Sequence, residues 1–71
     1  MDETELKRKL RIFLDDKLYT FIKTKNGRFY NGYVLSIDKN HFDFNDDKLG
    51  SIPIIFLEVE HIEPSRRKND R

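Results

Sequence analysis

The fold of this 71-residue chain is decided by residues 21–38, FIKTKNGRFYNGYVLSID. Asn26-Gly27 is typical of a two-residue β-hairpin turn, because both residues tolerate positive φ. Gly32 lies inside the apolar run that follows, where a missing side chain usually marks a bend or a close approach of two backbones. The stretch therefore predicts a hairpin whose second strand, Arg28–Asp38, is long and bends as strands do when a small sheet curls into a barrel.

Side chains alternate between the two faces of a strand, and this alternation divides the long strand. One predicted face carries four aromatic or aliphatic side chains: Phe29, Tyr33, Leu35 and Ile37. The other predicted face carries Tyr30 and Val34.

The residues before this stretch predict one helix and one strand. Leu6, Leu10 and Phe13 recur at helical spacing, so the periodicity predicts an amphipathic helix over about residues 3–15. Asp2 lies three residues before Glu5, which is the spacing of a capping box at a helix N-terminus. The first strand is expected to begin near residue 18 and to lead into the hairpin.

Three more strands are predicted after it. Phe42 and Phe44 alternate with a polar residue and predict the third strand, Ser51–Phe56 predicts the fourth, and Val59–Ile62 the fifth. Pro53 has no N–H group, so the fourth strand must lie at a sheet edge or carry a bulge. One helix followed by five strands predicts a mainly β protein, a small antiparallel barrel with the helix over one end.

Composition limits the function classes. The chain contains no Cys, which excludes disulfides and thiolate metal sites and favours a reducing, cytoplasmic setting. The acidic N-terminal residues do not read as a signal peptide, and no apolar run approaches the roughly 18 residues of a membrane span. The formal net charge of +1 is too small to indicate nucleic-acid binding by itself. We expect one domain over residues 1–64 and a basic tail over residues 65–71.

The deciding stretch resembles the first motif of the Sm-like family, which includes the LSm and Hfq-like proteins. That motif has a turn glycine, a second glycine five residues on and an aspartate six residues later, matched here by Gly27, Gly32 and Asp38. The helix and the closing strand, Glu58–Pro64, are also similar. The resemblance implies a five-stranded, strongly bent antiparallel barrel of the SH3-like or Sm-like type, which forms rings of six or seven subunits joined through the fourth and fifth strands. It also implies binding of U-rich or A-rich single-stranded RNA near the pore.

Two positions depart from that family pattern. The position of the base-contacting asparagine holds Phe42, and Asn40 comes earlier than the family places it. The second family motif supplies an Arg-Gly or Lys-His pair, whereas this chain has Phe56–Val59 there. Glu58 would repel phosphate at a place where the family has a cation.

The first functional hypothesis is a ring-forming protein that binds single-stranded RNA, as an RNA chaperone or an RNA-processing scaffold. The candidate RNA-binding residues are Asp38, Asn40 and His41 in the turn after the second strand and Arg66, Arg67 and Lys68 in the tail. The cations within residues 7–11 of the helix form a second candidate patch for phosphates. Tyr19, Tyr30 and Tyr33 could stack on bases, although aromatic residues at strand spacing are more often core or interface residues.

Two alternatives keep the same fold. One is a protein–protein assembly or adaptor module without RNA, and the other is a monomer whose edge is blunted by Pro53. No catalytic triad or phosphate-binding glycine loop is present, so no enzyme activity, cofactor, metal or small-molecule substrate is expected. His41 and His61 lack partners at metal-site spacing. Three aspartates, Asp43, Asp46 and Asp47, lack the spacing of a calcium loop and are expected in a solvated hairpin loop.

Overall fold

The structure of the protein is a computed structural model that describes residues 2–65. One helix is followed by five strands, as predicted. The elements are α1 (Glu3–Asp15), β1 (Thr20–Thr24), β2 (Phe29–Ile37), β3 (His41–Asp46), β4 (Gly50–Ile55) and β5 (Val59–Pro64), with a turn of 3₁₀ helix, Phe56–Glu58, between β4 and β5.

All five strands form one antiparallel sheet in the order β4-β3-β2-β1-β5. The helix and every strand contribute to a single buried cluster, so the sheet curls strongly around it, and the predicted Sm-like architecture is confirmed. The cluster consists of Leu6, Leu10, Phe13, Ile22, Val34, Phe42, Phe44, Ile54, Phe56, Val59 and Ile62.

Helix α1 begins and ends with identifiable caps. The Asp2 carboxylate accepts a hydrogen bond from the Glu5 backbone N–H at 3.4 Å, which satisfies one of the free donors of the first turn. At the other end Leu18 N–H donates to Phe13 O at 3.0 Å, and Lys17 adopts a left-handed φ of 54°. This is the hydrogen-bond pattern that usually places glycine after a helix, and here a lysine occupies the strained position.

Gly32 lies where β2 crosses β3 with almost no space between the backbones. A Cβ at this position would be 1.8 Å from Asn45 O and 2.8 Å from Asn45 C. The close approach predicted from the sequence is therefore confirmed, and β2 runs as one strand from Phe29 to Ile37.

The β1–β2 hairpin has a longer loop than predicted. Thr24 N–H donates to Arg28 O at 2.9 Å, and Gly27 N–H donates to Thr24 O at 3.0 Å. Gly27 has a φ of 89°, whereas Asn26 does not have positive φ. The two-residue turn is therefore wrong: the loop has three residues and ends in a left-handed glycine.

A bulge in β2 changes which side chains face the core. The ladder with β3 shifts between Val34 and Ser36, so Leu35 is an extra, unpaired residue. Val34 is buried, Leu35 is exposed, and Ile37 packs against the core. The prediction that Leu35 and Ile37 share one face is wrong, because the extra residue turns the end of the strand over.

Strand β4 lies at an edge of the sheet, which is one of the two arrangements predicted from Pro53. Phe56 N–H donates to Asn40 O at 3.1 Å, and this pair continues the register of β3 with β4. Opposed residues in antiparallel strands alternate between hydrogen-bonded and non-hydrogen-bonded pairs. The backbone N–H and C=O groups of Ser51 and Ile55, and the C=O group of Pro53, therefore face away from β3. Pro53 therefore costs no hydrogen bond within the chain.

Strand β5 is the other edge. Ser65 N–H donates to Tyr19 O at 2.7 Å, in register with the pairs of β1 and β5. By the same alternation, the backbone groups of Ile62 and Pro64 face outwards. The two edges thus offer unpaired backbone groups to another strand.

Candidate functional site

An exposed aromatic surface lies on the outer side of the β1–β2 hairpin. The rings of Phe21 and Phe29 stack with centroids 5.7 Å apart and planes at 25°. Phe29 is 59% exposed, and Lys23 Nζ lies 5.8 Å from the centroid of its ring. We call Phe21, Lys23 and Phe29 the aromatic face.

The three-residue loop creates this face. Lys23 lies opposite Phe29 and Phe21 lies opposite Asn31, and residues opposite one another share a face of the sheet. A two-residue turn would instead have placed Phe29 opposite Thr24, which is buried. A slip of one residue moves a whole strand to the other face.

The cations around the aromatic face are not neutralised. Lys23, Lys25, Arg28 and Lys48 have no carboxylate oxygen within 4 Å in the part of the chain that the structure describes. Lys25 lies in the hairpin loop and Arg28 directly follows it. Lys48 lines the same depression as Phe29, together with Asp46 and Asp47. These charges remain available to an anionic ligand.

The helix, in contrast, carries a balanced charge pattern. Three of its cations lie one turn away from an acidic residue, with N–O distances of 3.6 to 4.0 Å. The pairs are Lys7–Glu3, Lys9–Glu5 and Arg11–Asp15. All are exposed, so each contributes little stability, but each lowers the local positive potential. The predicted basic patch on the helix is therefore largely compensated.

A polar depression of about 320 Å³ lies beside Phe29. Its floor is organised by the Asp46 carboxylate, which accepts hydrogen bonds from the backbone N–H groups of Asn31 at 3.0 Å and of Lys48 and Leu49 at 2.9 Å. Asp46 is buried, so its prediction as a solvated loop residue is wrong. The carboxylate holds the β3–β4 turn against β2.

The tyrosines do not form an exposed stacking platform. Tyr19 is buried and its hydroxyl donates to the Asp47 carboxylate. Tyr33 packs on Tyr19 with centroids 5.4 Å apart, and Tyr30 packs against the core. Their positions fit the structural role that strand spacing favoured.

The predicted RNA-binding turn lies at the opposite end of β2. Asp38, Asn40 and His41 are together there, with the Asp38 carboxylate accepting from Lys39 N–H at 2.9 Å. His41 Nε2 lies 3.7 Å from Asp43 Oδ1. The three predicted tail residues, Arg66, Arg67 and Lys68, lie outside the described residues.

A small notch adjoins this turn, with a volume of about 140 Å³. It is lined by Glu3, Asn40, Ile55, Phe56 and Leu57. The Phe56 ring is buried and stacks on Phe42 at 6.0 Å, so the apolar side chains that the notch presents to solvent are the aliphatic ones of Ile55 and Leu57.

Comparisons with known proteins identify the fold. No protein-family model matches the chain, and no curated protein matches it. A solved structure described as the "1.55 A Crystal structure of the pleiotropic translational regulator, Hfq" is similar, with a TM-score of 0.72 and 16% sequence identity. The match covers 80% of this chain and 93% of the Hfq chain. At this identity the match shows the Sm-like fold. Residues 2–65 include no helix long and apolar enough to cross a bilayer.

Proposed function

We propose that this protein is a non-enzymatic Sm-fold module of the cytoplasm that assembles with copies of itself and binds single-stranded RNA on the aromatic face. One observation carries the proposal: a stacked pair of phenylalanines, of which Phe29 is exposed and Phe21 half-buried, with an unneutralised Lys23 beside it. Proteins that bind single strands combine stacking platforms with cations that track the backbone, and each stacked base contributes about 1–3 kcal/mol.

The residues have distinct roles in this proposal. An unstacked base lies on the outer side of the Phe29 ring, whose other neighbour is Phe21. Lys23, and Lys48 beside the neighbouring depression, meet the phosphates on either side of that base. Arg66, Arg67 and Lys68 add charge from the tail. The turn that contains Asp38, Asn40 and His41 is the alternative RNA-binding surface. Variants of the turn and of the aromatic face distinguish the two surfaces.

Self-assembly is supported by the chemistry of the two edges. On β4, the residues whose backbone groups face outwards have exposed side chains. On β5, the residues whose backbone groups face outwards include Ile62, whose side chain is buried. Opposed residues in an antiparallel pair point to the same face. A β4 edge paired with the β5 edge of another copy therefore places one of Ser51, Pro53 and Ile55 opposite Ile62, on the core side of that neighbour. Such a head-to-tail contact closes into a ring when its rotation permits, as the Sm-like resemblance implies.

A ring would also repeat the aromatic face on each subunit. One stack and two or three cations make a weak site, but a single RNA strand that contacts several copies binds with a much higher avidity.

The experiment is fluorescence anisotropy of labelled U-rich and A-rich oligonucleotides, with native mass spectrometry of the same samples. We expect rings that bind RNA, an affinity that falls steeply from low to moderate salt, and a loss of about tenfold for Phe29→Ala. Leu35→Ala, an exposed apolar change on the same strand, is the matched control and should bind as the wild type does.

Two results would contradict the proposed site. If the wild-type chain shows no salt-sensitive binding, the RNA function is wrong. If Phe29→Ala binds normally while Asn40→Ala with His41→Ala loses binding, RNA occupies the rival turn instead.

A second candidate function, a protein adaptor of the same fold, is favoured by one observation. Leu57 is 72% exposed, the most exposed large apolar side chain in the described part of the chain, and Glu58 follows it. The position where RNA-binding relatives are expected to hold a cation therefore presents an aliphatic and an acidic side chain.

A further inference from the structure

We propose that Asp47 holds the basic tail across the polar depression through an ion pair with Arg67, so that the tail cations lie beside the aromatic face. The proposal deepens the RNA function, and it rests on that function for only one of its two tests. The observations that carry it are the charge of the depression, the place where the described chain ends and the register of β5.

The depression has a net negative lining. Its charged lining residues are two aspartates, Asp46 and Asp47, and one cation, Lys48. Lys48 Nζ has no carboxylate oxygen within 4 Å among residues 2–65, so it neutralises neither aspartate by contact. The Asp46 carboxylate already accepts from three backbone N–H groups. Asp47 is therefore the carboxylate that a guanidinium entering the depression would meet, and hydrogen bonds between these two charged groups are strong.

The described chain ends beside this depression. Ser65 N–H donates to the carbonyl oxygen of Tyr19 at 2.7 Å, and the hydroxyl of Tyr19 donates to the Asp47 carboxylate. The tyrosine side chain thus spans the distance from the Ser65 backbone to Asp47. An extended arginine side chain is at least as long, and consecutive Cα atoms are only about 3.8 Å apart. An arginine within two residues of Ser65 can therefore reach Asp47.

The register of β5 indicates which arginine this is. Ser65 lies opposite Tyr19, and Tyr19 shares the outer face of the sheet with Phe21, two residues on. Side chains alternate along a strand, so a chain that continues this register has Arg67 on the same face as Ser65 and Arg66 on the opposite face. The inference therefore selects Arg67 and makes Arg66 its matched control.

The contact does not use the two sheet edges. The six residues that line the depression belong to β2, to the end of β3 and the turn after it, and to the position before β1. None of these six lies on β4 or β5, which the proposed assembly pairs with other copies. Arg67 follows the last residue of β5, Pro64, and a contact with Asp47 takes its side chain over the face of the sheet.

The contact gives the tail a place on the RNA surface. Phe29 also lines the depression, so a tail held there brings its other cations close to the phosphates of a strand stacked on that ring. Because Arg67 is only two residues from Ser65, the ion pair forms without the entropy cost of joining two molecules. Asp47 acts through the tail, and it is a positioning residue that does not itself contact RNA.

The first test needs no RNA. It compares the amide signals of the isotope-labelled full chain in NMR spectra of the wild type, Arg67→Gln and Arg66→Gln. We expect Arg67→Gln to shift the signals of Asp47 and Lys48, and Arg66→Gln to leave them in place. About 0.5 M salt should reproduce the first change in the wild type, because salt screens an ion pair at the surface.

The second test is a double-mutant cycle on RNA affinity, measured by fluorescence anisotropy. Loss of a carboxylate near an RNA surface should by charge alone strengthen binding. We expect Asp47→Asn instead to weaken binding about threefold, and to weaken it no further in a chain that carries Arg67→Gln. In a chain that carries Arg66→Gln, Asp47→Asn should keep its full effect. Glu63→Gln, which removes a carboxylate opposite Phe21, is the control and should not lower the affinity.

Three outcomes would overturn the proposal. Arg67→Gln could leave the amide signals of Asp47 and Lys48 unshifted. Asp47→Asn could strengthen RNA binding, as charge alone predicts, or it could weaken binding equally in the chain without Arg67. The asparagine keeps an oxygen that accepts from Tyr19, so this variant should fold. If the wild-type chain binds no RNA, the RNA function is wrong, and the NMR comparison alone decides whether Asp47 holds the tail.

Discussion

Replacing Gly32 by alanine tests how the sheet is built. The added Cβ would lie 1.8 Å from Asn45 O, 2.8 Å from Asn45 C and 3.2 Å from Asp46 Cα. Real Cβ contacts essentially never fall below 3.0 Å, so β2 and β3 must separate by roughly 1.2 Å at their crossing. All three atoms belong to backbone, and no flexible side chain can move aside.

The cost follows from that geometry. Overpacking costs about 1–3 kcal/mol and occasionally more, and a clash with backbone belongs at the upper end. A chain of 71 residues has a free energy of unfolding of roughly 4–10 kcal/mol. A loss of about 3 kcal/mol corresponds to a fall in Tm of roughly 12–24 °C for a domain of this size.

The assay is thermal unfolding followed by circular dichroism. Gly50→Ala is the control, because Gly50 has a φ of 81° but nothing within 4 Å of an added Cβ. In that variant the alanine introduces left-handed backbone strain and no clash, so the free energy of unfolding should fall by only about 1–2 kcal/mol. If Gly32→Ala melts within about 4 °C of the wild type, or no lower than Gly50→Ala, the close crossing is not what shapes the sheet.

Four further changes test other features. Lys17→Gly removes the left-handed strain at the helix end and should raise the free energy of unfolding in urea by about 1 kcal/mol; a decrease would contradict the cap. Leu6→Ala, at a buried position, should cost about 3 kcal/mol in the same assay, whereas Ile12→Ala on the exposed side of α1 should change stability by about 0.5 kcal/mol at most; equal losses would mean that the helix is rotated. Asp46→Ala leaves three backbone N–H groups without their acceptor and should cost about 3 kcal/mol; unchanged stability would refute its role in the turn. Pro53→Ala restores an outward N–H on β4, so it should leave the stability of the subunit unchanged and strengthen assembly roughly two- to tenfold by sedimentation; no gain would exclude the β4 edge as the contact.

Features set by local chemistry could be predicted from the sequence. The helix follows from the spacing of Leu6, Leu10 and Phe13, and the missing N–H of Pro53 limits β4 to an edge or a bulge, of which the structure has the edge. Position 32 requires glycine because the Cβ of any other residue would clash with the backbone of β3. Each of these depends on one residue type or one periodicity, so no knowledge of the partner strand is needed.

Features set by pairing between strands could not be predicted. The sequence Asn26-Gly27 allows both a two-residue and a three-residue loop, and hydrogen bonds of Thr24 decide between them. The bulge at Leu35 depends on where β3 pairs, which alternation within β2 does not reveal. The bulge turns Ile37 to the other face of β2, and the loop length decides which β1 side chains lie beside Phe29. The predicted two-residue loop does not bring Lys23 opposite Phe29, so the aromatic face was missed. Counting both loop lengths would have shown that one of them groups Phe21, Lys23 and Phe29.

The same hairpin makes the surface chemistry of this protein a property of its turn conformation. Closing the turn over Asn26-Gly27 alone would bring Thr24 opposite Phe29, send the Phe29 ring inwards and bring Tyr30 out, without any change to the composition of either strand. A substitution confined to the turn can therefore exchange one surface of this fold for another, a much shorter evolutionary route than replacing the residues one by one.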